Sequence, residues 1–463
     1  QQSRDLYEQL ELEKDVADLW GLVSSCYRDW GKYEQALESR QNYLQIYQRL
    51  DNQPNVAFAY CQLGYIYQAW NKYEQAISDY QQSRYVYEQL GLETNLANQW
   101  SWISDCYKDW GKYEQAIKSR QNCLQIYQRL DNQLNVASAY CQLGRIYQAW
   151  GKYKQAIYYH QQSRNLYEQL GLETNLANQW GWISDCYKDW AKYEQAIECL
   201  QNYLQIHQRL DNQPNVAFAY YQLGRIYQAW GKYEQAISYY QQSRDLYQQQ
   251  GLEADVADLW GWISDCYKDW GKYEQAIESR QNYLQIYQRL DNQPNIANGY
   301  SELGRIYQEW GKYEQAISHY QQSRDLYEQL ALDADMAELW GSISNCYKDW
   351  DKYEQAIDSR QNNLQIYQRL DNQPDVAFAY CRLGYIYQAW GKYEQALSYY
   401  QQSRDLYEQL ELETDIADLW GWISDCCKDW GKYEQAIDSR QNYLQIYQRL
   451  DNQSNLANAY WQL

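Results

Sequence analysis

The stretch NVAFAYYQLGRIYQAWGKYEQAISYYQQSRDLYQQQGLEA, residues 215–254, decides the fold, because the rest of the chain is a near copy of it or of one alternate form. The alternate form is DVADLWGWISDCYKDWGKYEQAIESRQNYLQIYQRLDNQP, residues 255–294. The two alternate at a fixed period of 40 residues, without insertion or deletion. A fixed period in this range signals a solenoid of stacked supersecondary units. Eleven complete units run from 15 to 454, with partial units at 1–14 and 455–463. The chain is therefore expected to form one array over 1–463, cut from something longer.

Composition narrows the setting. Aromatic residues make up 17 % of the chain, with 22 Trp and 54 Tyr against 3 Phe, so there is ample apolar surface to bury. A net charge of −20 argues against phosphate-backbone binding and docking on anionic lipid, both of which need clustered Lys and Arg. No nucleic acid and no membrane are expected as partners. No apolar run reaches the roughly 18 residues of a spanning helix, and the N-terminus lacks a signal-peptide layout. A soluble, cytoplasmic protein is the expectation.

Six of the 12 cysteines, Cys26, Cys106, Cys186, Cys266, Cys346 and Cys426, share one repeat position where a small residue fits between two helices. They read as core filler. There is no CxxC pair, and His160, His207 and His319 stand 47 and 112 residues apart. No metal and no cofactor are expected.

Within a unit, the first helix is expected to open at Asn or Asp (Asn55, Asn95, Asp255) as N-cap, with Pro54, Pro214, Pro294 and Pro374 as breakers before it. It should run to the Trp at 30, 70, 110 and their successors. The next residue is Gly in most copies, with Asn71, Ala191 and Asp351 as exceptions, which suits a left-handed turn. The second helix begins near KYEQAI. Each unit is a helical hairpin and the fold class is all-α.

The order Tyr220, Leu223, Gly224, Tyr227, Gly231, Tyr233, Ala236, Tyr240 resembles the tetratricopeptide repeat, in a long 40-residue subclass. The resemblance covers essentially the whole chain. The alternate form departs from it at Ser264 for Gly, Arg280 for the second aromatic and Tyr283 for a small residue. The resemblance implies a right-handed superhelical α-solenoid of stacked helix-turn-helix hairpins. It also implies a concave groove, lined by first helices, that holds a peptide or partner protein.

Comparison of the copies supports that groove independently. With Ala217 as position one and 100° per residue, positions four, seven, eight, eleven and fourteen fall on one arc and are nearly invariant. They form the expected buried stripe. Positions two, five, six and nine vary and fall on the opposite arc. In the first form they include Phe58, Phe218, Asn298, Phe378 and Asn458 at two; Tyr221 and Trp461 at five; and Tyr65, Arg145, Arg225 and Arg305 at nine. In the alternate form they include Asn98, Asn178 and Asp258 at two, Trp102, Trp182, Trp262 and Trp422 at six, and Asp105, Asp185, Asp265 and Asp425 at nine. The Leu-to-Gln change at 99 and 179 lies off this arc.

Trp beside carboxylates suits a Lys or Arg side chain through cation–π attraction and ion pairing. The expected ligand is therefore an extended, net-basic peptide, read one or two side chains per unit. No enzyme is expected, since the carboxylate pairs recur in every unit whereas an active site is one unsymmetrical constellation. The chain reads as a sensor or adaptor segment of a larger protein. The alternative is a structural scaffold or an end-to-end self-assembling array, because stacked units expose the face a neighbour would cover.

Overall fold

The computed structural model describes the backbone of residues 2–450 and the side chains of residues 12–450. The partial unit expected at 455–463, with Asn458 and Trp461, lies outside the described residues. Every regular element described is a helix, and the chain divides into two compact units at residues 232 and 233. The first holds α1 (Gln2–Asp29), α2 (Tyr33–Arg49), α3 (Gln53–Ala69), α4 (Tyr73–Gln89), α5 (Glu93–Asp109), α6 (Tyr113–Arg129), α7 (Gln133–Ala149), α8 (Tyr153–Gln169), α9 (Glu173–Asp189), α10 (Tyr193–Arg209) and α11 (Gln213–Ala229). The second holds α12 (Tyr233–Gln249), α13 (Glu253–Asp269), α14 (Tyr273–Arg289), α15 (Gln293–Glu309), α16 (Tyr313–Gln329), α17 (Asp333–Asp349), α18 (Tyr353–Arg369), α19 (Gln373–Ala389), α20 (Tyr393–Gln409), α21 (Glu413–Asp429) and α22 (Tyr433–Arg449). Within each unit, every helix packs on the helices before and after it in sequence.

The turns follow one design. Trp70 closes α3, Asn71 N–H donates to Gln68 O at 3.0 Å and Lys72 N–H to Tyr67 O at 2.8 Å, which is the Schellman pattern. The residue after the Trp has positive φ in every copy, 74° at Gly31 and also 59° at Asn71, 56° at Ala191 and 57° at Asp351. Lys72 Nζ lies 3.3 Å over the Trp70 ring, and Tyr33 of the preceding hairpin stacks on that ring at 5.8 Å. Invariance of this Trp is thus structural: it seals a turn and pins one hairpin to the next.

The helix starts correct the expectation. α3 begins at Gln53 and its N-cap is Asn52, whose side chain accepts from Asn55 N–H at 3.3 Å. Pro54 sits inside the first turn, where a missing N–H costs nothing. In the alternate form the N-cap position is Leu92 or Leu252, with no side-chain cap bond. α1 runs unbroken from Gln2 to Asp29, where the period places a turn near residue 11. The same local sequence does turn at Glu411, φ 56°, where α20 folds back on α21, so packing rather than local sequence makes that turn.

The buried arc of a first helix is wider than the expected stripe. In α3 it comprises Val56, Ala57, Ala59, Leu63, Gly64 and Ile66, while Tyr60, Tyr67 and Trp70 are only half-buried. α3 packs on α2 as well as on α4, so two flanks of the helix are covered. At position ten, Cys106, Cys186, Cys266, Cys346 and Cys426 are fully buried, and all are free thiols. Cys26 is exposed, because α1 has no second helix before it among the described residues.

Two interlocks hold hairpins together. In one form, glycine at position eight lets a second-helix ring lie on the first-helix backbone: a Cβ at Gly64 would stand 2.8 Å from Tyr80, and one at Gly304 2.6 Å from Tyr320. The Tyr80 hydroxyl donates to Gln68 at 3.0 Å and Ser83 Oγ to Ala57 O at 2.7 Å. In the alternate form Ser replaces the glycine and donates across the hairpin, Ser104 to Ala116 O and Ser264 to Ala276 O, both at 2.8 Å. Arginine then takes the place of the ring.

Asp79 on α4 stands where Tyr159, His319 and Tyr399 stack on Tyr147, Tyr307 and Tyr387 at 5.2–5.3 Å. Burial pushes its carboxyl from 3.8 up to about 7. The unfolded carboxyl loses its proton first, so between these values the folded chain holds the extra proton and stability falls as pH rises. Asp79→Asn should therefore raise the thermal midpoint at pH 8, with the gain vanishing towards pH 4. Circular dichroism melts across that range check it.

Candidate functional site

The variable positions form rungs between consecutive first helices. Position nine of one reaches position six of the next: Tyr65 meets Trp102 edge-on at 6.0 Å, the Arg145 guanidinium lies 5.0 Å over Trp182, and Tyr385 meets Trp422 at 5.1 Å. Position twelve of the helix before adds a cation, Arg28 4.9 Å over Tyr65 and Lys348 4.8 Å over Tyr385. The Trp rings rest on second-helix residues, Trp102 on Tyr80, Trp182 on His160 and Trp262 on Tyr240, at 6.3–6.4 Å. Beside the rungs stand Phe58, Phe218 and Phe378, exposed by 38–42 %. Arg225 lies 5.8 Å over Tyr221, and Arg305 is held by Glu302.

The acids on this face are not free. Asp105, Asp265 and Asp425 each accept from the buried arginine of their own hairpin, Arg120, Arg280 and Arg440, at 2.6–3.0 Å. Asp185 has Leu200 at that place and pairs instead with Lys188 at 3.1 Å. At position two, Asn98 accepts from Tyr127 and Asp258 from Tyr287, both at 2.6 Å. Asn178 is exposed and has His207 at the place of that tyrosine. Asn298 lies 3.5 Å from the Tyr283 hydroxyl. Burial raises the Asp265 carboxyl, with Arg280 pulling the other way, and raises Asp258 against its hydrogen bond from Tyr287.

Two groups escaped the reading by faces. Gln99 and Gln179 lie off the variable arc and are buried, and Gln179 meets His160 Nδ1 at 3.0 Å, a ring whose pKa burial lowers to about 4. The second-helix arginines were visible only as a departure from the repeat pattern. Their pairing with position nine joins residues 15 apart on antiparallel helices. The signal was there: wherever position nine is acidic, except at Asp185, the arginine stands 15 residues on.

The sequence profile of the tetratricopeptide repeat matches residues 15–89, 96–169, 179–249, 255–329 and 335–409. The chain belongs to the tetratricopeptide-repeat family. No curated protein sequence matches it. Among solved structures, BtubC (BKLC) from P. vanneervenii is similar at 20 % identity, over 48 % of this chain and 92 % of that one, with a TM-score of 0.41. A STAND signal-transduction ATPase with a tetratricopeptide repeat sensor, from Pyrococcus horikoshii, aligns over 82 % of this chain and 54 % of its own at 14 % identity, TM-score 0.46. Aspartyl phosphate phosphatase F from Bacillus subtilis aligns over 77 % and 94 % at 16 % identity, TM-score 0.44.

In these tetratricopeptide repeats the arginine and acid act as one unit. Replacing Arg280 by Met strands a carboxylate that keeps 29 % exposure, and should cost about 1–2 kcal/mol, below the range for fully buried pairs. Asp265→Asn should cost less than about 1 kcal/mol, because Arg360 meets Asn345 in the same geometry at 3.0 Å. Urea unfolding of both variants checks the order.

Proposed function

We propose that the chain is a recognition module that holds an extended peptide or a partner segment along its first-helix face. It would serve as the sensor or adaptor part of a larger protein. The observation that carries this reading is the coincidence of two patterns on one face. Copy-to-copy variation gathers at positions two, five, six and nine, and the exposed rings of Phe58, Tyr65, Trp102, Phe218 and Phe378 stand there too. Aromatic side chains give large contact area for little lost freedom, which suits a binding surface. The chemistry is that of binding rather than catalysis.

A net-basic ligand fits the overall charge of −20. Because Asp105, Asp265 and Asp425 already hold arginines, the general attraction would come from the field of the whole chain and from acids without a partner. The setting that fits twelve free thiols is the reducing cytoplasm. Self-assembly is the rival reading, and it has no comparable feature on this face.

Peptide display on the purified chain, followed by fluorescence anisotropy, tests the proposal. Phe58→Ala with Trp102→Ala should weaken the selected peptides by roughly tenfold or more, and added salt should weaken them further. Affinity indifferent to the double variant would count against the face. Molar mass growing with concentration, with no peptide selected, would favour assembly.

A further inference from the structure

Position six of the alternate form is Trp102, Trp182, Trp262 or Trp422, and in the second compact unit the Trp262 ring covers Tyr240 at 6.4 Å. Leu22 departs from the series in the first copy, and within the second compact unit it is broken by Ser342. Its hydroxyl turns back to the Glu338 carbonyl at 3.2 Å, so no ring covers the corresponding Tyr320. A cavity of about 270 Å³ opens between α15 and α17, walled by Glu302, Arg305, Tyr320, Tyr327, Asp335 and Glu338.

The charge of this cavity is unlike that of its siblings. Glu302 replaces the glutamine of Gln62 and Gln142 and is answered by Arg305, whose Nε donates to it at 3.0 Å. Asp335 and Glu338, one turn apart on α17, have no ion-pair or hydrogen-bonding side-chain partner among the described residues. At the place of Glu338, Asp18, Asp258 and Asp418 each accept from a tyrosine, at 2.6–2.9 Å. The Tyr327 phenol, raised by burial and then by Asp335, Glu338 and Glu302, lines the same cavity as these three carboxylates.

Resting on the peptide reading above, we propose that this cavity is a pocket for a cationic side chain of the bound peptide, an arginine in preference to a lysine. The planar set of donors on a guanidinium can answer both carboxylates, which stand one helical turn apart and line the same cavity. A cavity of this size, with an aromatic wall, admits its planar head. The neighbouring step along the array repels such a group, because Arg382 occupies the place of Glu302 there. The pocket would thus fix the register of a peptide in the second compact unit.

The test uses the whole chain and fluorescein-labelled octapeptide pools, each with one fixed residue, Arg, Lys or the neutral isostere citrulline, in a degenerate background. Wild type should prefer the Arg pool over the citrulline pool by roughly tenfold. Ser342→Trp, which restores the side chain that four sibling copies carry, should reduce that preference to roughly twofold, and Asp335→Asn with Glu338→Gln should do the same. A preference that survives Ser342→Trp, or equal binding of all pools to wild type, overturns the pocket while leaving the peptide face intact. Failure of every pool to bind overturns both.

Discussion

A ring lying on a bare helix backbone is the contact on which the rest of the structure depends. At Gly64, Gly144, Gly304 and Gly384 the partner ring would come within 2.6–2.8 Å of any added Cβ, so the close approach exists only because the side chain is absent. The approach sets the spacing within a hairpin and buries Tyr80 and Tyr400 completely. Alternate hairpins solve the same problem differently, with a serine hydroxyl on the facing carbonyl and an arginine in the ring's place. Both solutions lock the helix arc they use. Change is left to the positions outside that arc.

Those positions carry the copy-to-copy variation, and their chemistry is already partly spent within the chain. Asp105 and Asp265 answer buried guanidinium groups, and Trp182 carries Arg145 on its face. Arg360, which meets only amide and backbone oxygens, is lowered by burial to about 10, the direction expected for a cation without an acid beside it. On the proposed reading, specificity would lie in the few places where the inward pairing is broken or a ring is missing.

Much of this was legible in the sequence. The fixed period placed the hairpins, and the Trp-Gly boundaries are left-handed turns as read, with Asn71, Ala191 and Asp351 following glycine into positive φ. Less legible was anything set by two helices at once. Asn55 looks like a cap, yet the cap is Asn52, because a proline inside the first turn resembles one before it. Ala57, Ala59 and Ile66 fell outside the expected stripe because a first helix is covered on two flanks. The arginine partners of the position-nine acids lie across the hairpin, where one-helix periodicity carries no information.

Hydrogen–deuterium exchange of the chain with and without its tightest selected peptide is the most direct test of a face divided between packing and recognition. Added protection confined to first helices, centred on segments such as α3, α5 and α17, is the expected result. Protection spread over the second helices and the Trp-sealed turns, or none at saturating peptide, would contradict it.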